Sequence, residues 1–106
     1  MNFGKPRSGR TTRMLEAAIQ EIQLGKQVFI VMANQPDATR VRNILVREHG
    51  LSPYVFKVGT ATSLNLDWKT RRLFAAPKNA SVFIDHYAIQ TYLQDLMPII
   101  NEMHKY

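Results

Sequence analysis

The apolar run "VFIVMA", residues 28–33, constrains the fold of this chain more than any other segment. It is rich in β-branched residues and has almost no alternation of polar and apolar positions, which is typical of a strand buried on both faces of a parallel sheet. Two further apolar runs, "YVFKV" at 54–58 and "SVFID" at 81–85, are also predicted strands. Parallel strands need long crossover connections, so helices are expected between them.

Helical patterns occupy these intervals. Apolar residues recur every three or four positions over 12–24, which predicts a helix that ends at Gly25. A second helical pattern begins at Pro36 and closes at Gly50. The segment "LDWKTRRLFAA" predicts a short helix, and the last part of the chain predicts a terminal helix that Pro98 kinks or divides.

This order of strands and helices predicts an α/β fold, a three-layer sandwich around a mostly parallel sheet of about four strands. The fourth strand would be the short apolar start "MNF". A chain of 106 residues is most simply a single domain, 1–106, that buries roughly two thirds of its unfolded surface. Ligands in such folds bind at the carboxyl ends of the strands, so functional residues are expected at that edge.

Charge and composition narrow the class of partner. The chain has 14 Lys and Arg against 8 Asp and Glu, a formal net charge of +6, which favours polyanions such as nucleic acid or nucleotide phosphates. The absence of cysteine excludes disulfides, thiol catalysis and cysteine-ligated metal. Because no apolar run reaches about 18 residues, we expect a soluble cytoplasmic protein that does not engage a membrane.

The segment "GKPRSGRT", residues 4–11, has the spacing of a phosphate-binding loop: Gly, four residues, Gly, a cation and a hydroxyl. Such a loop turns its backbone N–H groups inward around a phosphate, and the helix that follows presents its positive end. The hydroxyl of Thr11 falls where the motif binds Mg²⁺. The alternative is a basic N-terminal segment that contains two glycines by coincidence.

Asp85 and His86 follow the last predicted strand and lie at the same edge of the sheet. Because Mg²⁺ keeps several waters and takes few protein carboxylates, Asp85 is expected to hold the ion through water. The alternative for Asp85 is an N-cap of the next helix. The alternative for His86 is a packed or partly exposed strand-end residue.

"GKPRSGRT" and "SVFIDHYA" resemble the Walker A and Walker B motifs of P-loop NTPases. Within that superfamily the order of elements is similar to the first lobe of helicases and related motor ATPases. There, "VFIVMANQPDATRVRNIL" looks like the strand and helix after the loop, and "VFKVGTATSL" looks like a later strand with a Thr-containing loop. The chain also resembles small phage-encoded proteins of this type, and that resemblance implies the host cytoplasm as its location.

The resemblance implies a set of site residues, with ATP and Mg²⁺ as the bound groups. Asp85 and His86 would be catalytic, and Thr11 with Asp85 would hold the metal. The nucleotide would be bound by Gly4, Lys5, Arg7, Ser8, Gly9, Arg10, Thr11 and Thr12.

Two departures from the family pattern predict weak or absent hydrolysis. Arg10 replaces the lysine of the motif, and a guanidinium is bulkier and prefers a planar, bidentate approach. His86 stands where many helicase-like ATPases have a glutamate, whose charge an imidazole cannot copy. An arginine finger would have to come from a second subunit or a protein partner. In an oligomer, Lys5 or Arg7 would serve a neighbouring site, as the extra lysine does in partition-type ATPases.

A nucleic-acid surface is the last predicted feature. It would use aromatic stacking and arginine charge along the strand ends, although arginines on helix exteriors are usually just solvated. The residues selected for it are Arg40, Arg42, Trp68, Arg71 and Arg72. The sequence thus predicts a nucleotide-binding protein with weak hydrolysis that acts on or near nucleic acid. The alternatives are a non-catalytic basic adaptor for DNA, RNA or a protein, and, less favoured, a nucleoside or nucleotide kinase.

Overall fold

The computed structural model describes residues 9–104, with side chains described for residues 9–96. The elements alternate between helices and strands along most of the chain. In order they are α1 (Gly9–Gln23), β1 (Val28–Met32), α2 (Gln35–Arg47), β2 (Phe56–Thr60), β3 (Leu66–Asp67), β4 (Arg72–Leu73), β5 (Ser81–Ile84) and α3 (His86–His104).

The main sheet has three parallel strands in the order β2-β1-β5. Val28, at the start of β1, lies opposite Phe56 on one side and Ser81 on the other. The prediction of an α/β fold with a parallel sheet is therefore confirmed. The described chain has three strands in this sheet rather than about four, since the strand expected at "MNF" lies outside the described residues.

All five residues of β1 are buried, which explains why this strand has no polar position. Val28, Ile30 and Met32 pack with α1 and α2 on one face of the sheet. Phe29 and Val31 pack on the other face. Because successive side chains of a strand point to opposite faces, a central strand in a three-layer structure must be apolar throughout.

Two helices cover the first face of the sheet. The buried residues of α1 and α2 form one stripe on each helix, and they are Leu15, Ala18, Ile19, Ile22, Ala38, Val41 and Leu45. The first helix ends in a Schellman motif, in which Gly25 has φ 83° and Lys26 N–H donates to the Glu21 carbonyl at 3.1 Å. The second begins at its N-cap Asn34, whose Oδ1 accepts from Asp37 N–H at 2.9 Å.

The second face of the sheet carries a hairpin where the sequence predicts a short helix. Residues 66–73 form an antiparallel hairpin in which Leu66 pairs with Leu73, so the short helix expected over "LDWKTRRLFAA" is wrong. Asp67 Oδ1 accepts from Lys69 N–H at 2.9 Å, and Arg71, at φ 57°, donates its N–H to the Asp67 carbonyl at 2.7 Å. These local bonds close the turn, and the positive φ of Arg71 is incompatible with a continuing right-handed helix.

The terminal helix is longer than expected. It is continuous from His86 to His104, so Pro98 does not divide it. Strand β2 begins at Phe56, two residues later than predicted, because Tyr54 and Val55 are exposed. Among the described residues, no helix combines the length and the apolar character needed to cross a membrane.

Leu73 is the buried side chain of the hairpin, and this gives the first prediction. Leu73 is 5% exposed among Phe29, Val31 and Ala88, whereas its neighbour Phe74 is 91% exposed. We expect Leu73→Ala to lower the free energy of unfolding by about 2–5 kcal/mol because it removes buried apolar surface and leaves a cavity. Phe74→Ala should change it by less than ~0.5 kcal/mol. Urea unfolding followed by circular dichroism measures both, and equal losses would contradict the anchoring role of Leu73.

Candidate functional site

The start of α1 and the end of β5 meet at the carboxyl edge of the sheet. Thr11, in the first turn of α1, donates its hydroxyl hydrogen to Asp85 Oδ1 at 2.8 Å. Asp85 follows directly after β5 and precedes α3. One hydrogen bond therefore joins residues that are 74 positions apart in the chain.

Asp85 is a buried carboxylate with both oxygens engaged. The residue is 1% exposed, and its Oδ2 accepts from Tyr87 N–H at 3.1 Å. Its own backbone N–H donates to the Val31 carbonyl at 2.9 Å, which fixes it to the end of β1. Asp85 is thus the N-cap of α3, the structural alternative noted in the sequence. The cap uses Oδ2 and the bond from Thr11 uses Oδ1, so Asp85 caps α3 and bonds to α1 at the same time.

Arg10 lies next to His86. Its Nη1 is 3.1 Å from Nδ1 and 3.3 Å from Nε2 of the imidazole. A guanidinium can only donate, so the contact is a hydrogen bond when the imidazole is neutral and offers an unprotonated nitrogen. Arg10, the cation of the predicted loop, and His86, the residue after Asp85, are therefore in direct contact.

The electrostatics of this edge favour an anion. The first four N–H groups of α1, at residues 9–12, have no acceptor within the helix. Helix α1 has no acidic residue in its first turn, so nothing on that helix offsets the partial positive charge of its N-terminus, whereas the N-terminus of α3 is offset by its N-cap carboxylate, Asp85. Arg10 adds a full positive charge at the same place.

The same residues fit a Mg²⁺ ion through their chemistry. A hydroxyl and a carboxylate are the hard oxygen donors that Mg²⁺ prefers, and each carboxylate oxygen has a second lone pair beyond the bond it already accepts. Because Asp85 is almost fully buried, it suits contact through a bound water better than direct ligation. Among the side chains that the structure describes, no group of three or more His, Asp or Glu residues is placed to hold a metal.

The predicted nucleotide-binding residues divide into two groups. Gly9 and Arg10 are exposed and Thr11 and Thr12 are half-buried at the start of α1, so the structure brings them together with Asp85 and His86. The remaining four lie outside the described residues, and they are Gly4, Lys5, Arg7 and Ser8.

The predicted nucleic-acid residues fall into two groups on opposite faces of the sheet. Arg40 and Arg42 lie on α2, on the first face of the sheet, and Arg40 is paired with Asp37 at 3.3 Å. Arg71 and Arg72 are exposed in the hairpin on the second face. Trp68 is also in the hairpin, stacked on Tyr92 of α3 with ring centroids 4.2 Å apart.

Sequence reasoning missed two aromatic side chains of this second face. Tyr92 holds Trp68, and Phe74 is 91% exposed beside Arg72. Leu73 is buried between two exposed neighbours, but the sequence Arg-Leu-Phe at 72–74 does not alternate in polarity, so no local sequence pattern shows that Phe74 faces outward.

Comparison of the chain with models of protein families, with curated proteins and with solved structures gave no match.

The bond between α1 and Asp85 gives the second prediction. Thr11→Val removes the hydroxyl and leaves a buried carboxylate oxygen without its donor, so we expect the free energy of unfolding to fall by about 1–3 kcal/mol. Thr11→Ser keeps the donor and should retain most of the stability. Chemical denaturation of the two variants and the parent chain tests this, and a Thr11→Val variant as stable as Thr11→Ser would show that the bond contributes nothing.

Proposed function

We propose that this chain is a P-loop-like nucleotide-binding protein that holds the phosphates of ATP or a related nucleotide at the start of α1, together with Mg²⁺. In this proposal it hydrolyses the nucleotide slowly or not at all, and it acts on or beside nucleic acid. The observation that carries the proposal is the 2.8 Å hydrogen bond from Thr11 to the buried Asp85, because it unites the two motif residues expected to organise the ion.

Each residue has a separate role in the proposal. The N–H groups at the start of α1 donate to phosphate oxygens, as helix N-termini do in anion sites. Arg10 turns from His86 toward the phosphates and offsets their charge. Thr11 and Asp85 hold Mg²⁺, with Asp85 acting through water, and the ion when bound neutralises phosphate charge. Gly4, Lys5, Arg7 and Ser8 supply the rest of the loop.

The contact between Arg10 and His86 supports slow hydrolysis. A neutral imidazole has one acceptor nitrogen, and in this structure the guanidinium lies against it. His86 must lose that contact before it can accept a proton from an attacking water, and it lacks the permanent charge of a carboxylate. Faster turnover would need groups from a second copy of the chain or from a protein partner, with Lys5 or Arg7 as the residues offered in return.

A second candidate function is a basic adaptor that uses the fold without catalysis. The observation that favours it is the contact between Arg10 and His86. If Arg10 stays on His86, the start of α1 is left to bind the backbone phosphate of a polymer or nothing. The two functions differ in one respect, which is whether a free nucleotide stabilises the chain.

The third prediction concerns this stabilisation. Because a ligand that binds only the folded state raises its stability, Mg-ATP at about 100 times its dissociation constant should add about 2.7 kcal/mol and raise the melting temperature by several degrees. Arg10→Ala and Thr11→Ala should abolish the shift. The matched control is Arg13→Ala, which removes an exposed arginine of the same helix one residue beyond the predicted loop.

Thermal melting with Mg-ATP, Mg-GTP and Mg-ADP measures this effect. A parent chain whose melting temperature does not respond to any of the three would contradict nucleotide binding and leave the adaptor as the better function. A shift lost equally in Arg13→Ala would indicate a general charge effect rather than a site.

The fourth prediction concerns a variant that reverses the two departures from the motif, at Arg10 and His86. Arg10→Lys with His86→Glu gives the loop a compact ammonium and places a carboxylate at the first residue of α3, where the helix end favours negative charge. We expect phosphate release from Mg-ATP to rise by on the order of tenfold or more over the parent, as gains from a positioned general base typically do. Adding Asp85→Asn to this variant should remove the gain, and an unchanged rate in the double variant would count against an ATPase-like site.

A further inference from the structure

The segment between β2 and β5, residues 61–80, is the crossover segment, and it concentrates the positive charge of the chain. It contains Lys69, Arg71, Arg72 and Lys78 against the single acid Asp67, a net +3 of the chain's formal +6. Among the described side chains the ion pairs are Lys26 with Glu21 and Arg40 with Asp37, both outside this segment. Its four cations therefore have no acidic partner in the part of the chain that the structure describes.

An exposed aromatic ring lies within this charge. Phe74 is 91% exposed, and its backbone N–H donates to the Asn65 carbonyl at 3.3 Å, so the ring projects from a backbone held by the hairpin. Phe74 and Arg72 line the same open groove of about 600 Å³, with Asn65, Asp67 and Thr70 as its polar members. The groove thus combines a flat apolar face, a guanidinium and hydrogen-bonding groups.

A second groove of about 250 Å³ continues the first. The two share Thr70, Arg72 and Leu73, and the second adds Arg71 and Lys78. Arg72 therefore links the groove that contains Phe74 to the groove that contains Arg71 and Lys78, so an aromatic ring and three cations lie on adjoining grooves, as a strand that stacks a base beside its phosphate backbone requires.

Trp68 does not serve as this stacking ring. It lies parallel to Tyr92 within 9°, at a centroid distance of 4.2 Å, so one of its faces is covered and it fixes the hairpin to α3. Phe74 is the described aromatic side chain of the crossover segment that is open to solvent.

We propose that the crossover segment binds single-stranded nucleic acid, with Phe74 stacking on a base and Arg71, Arg72 and Lys78 contacting phosphates. A single strand is favoured over a duplex because its bases are free to stack on a side chain. It is favoured over an acidic protein because the exposed Phe74 ring offers a face for stacking on a base, and because Asp67 and Asn65 beside it can hydrogen-bond to base edges. The proposal deepens the nucleic-acid part of the proposed function and does not need the nucleotide site.

The test is fluorescence anisotropy of a labelled oligothymidine with the full chain, at about 50 mM salt and without nucleotide. We expect Phe74→Ala to weaken binding by about fivefold or more, since base stacking on an aromatic ring is worth at least that, and Phe74→Tyr to retain it. The matched control is Tyr54→Ala, which removes an equally exposed aromatic residue (93%) outside the crossover segment. Arg71→Gln with Arg72→Gln should lower affinity and flatten its salt dependence, whereas Arg42→Gln on α2 should not.

Three results would overturn the proposal: no binding of the oligonucleotide, binding that Phe74→Ala leaves unchanged, or equal affinity for a duplex or for polyglutamate. Because the assay contains no nucleotide, its failure leaves the melting response to Mg-ATP unaffected. Conversely, Phe74-dependent binding with no melting response would support this surface and count against the nucleotide site.

Discussion

The hydrogen bond between Thr11 and Asp85 is the constraint on which the arrangement of this protein depends. It joins the first turn of α1 to the junction of β5 and α3, and Asp85 is at the same time bonded to the backbone of β1 and of α3. A buried carboxylate is costly unless its oxygens are hydrogen-bonded, so this group holds the ends of three elements in place. The ends of α1 and α3 consequently meet at one edge of the sheet.

This geometry separates two surfaces with different chemistry. The edge at Arg10 and Thr11 combines the N-terminus of α1 with a guanidinium and a buried acid, and the proposed nucleotide site relies on this combination. The crossover segment lies on the face opposite α1 and α2 and combines cations with an exposed ring, which suits an extended polyanion. Helix α3 connects them, since it begins beside Asp85 and carries Tyr92, on which Trp68 stacks.

Much of the fold could be predicted from the sequence because its signals are local. The unbroken apolar run at 28–32 is typical of a central strand. Gly25 marks the end of the helix before it, and Asn34 marks the start of the helix after it. The pairing of Thr11 with Asp85 followed from a motif and from the rule that parallel strands end at one edge. The structure describes four of the eight predicted nucleotide-binding residues, those at 9–12.

The hairpin could not be predicted in the same way. Residues 66–76 include good helix formers, and their apolar pattern fits a helix. Whether they form a helix or a hairpin depends on the packing of Leu73 against Phe29 and Val31, a contact that is made only in the folded chain. Positive φ values at Asn65 and Arg71 complete that turn, and arginine gives no sign of such a conformation in the sequence. The Arg10 and His86 contact is also a tertiary result, because neither residue type predicts the other.

The most direct test of the nucleotide site is an NMR titration of the isotope-labelled chain with Mg-ADP, followed through its backbone amides. The account predicts that the amides of residues 9–12, together with those of His86 and Tyr87, shift first and saturate together, while Gly25 and Tyr54, remote from Asp85, stay unchanged. Uniform small shifts across the chain, or shifts confined to the crossover segment, would contradict it.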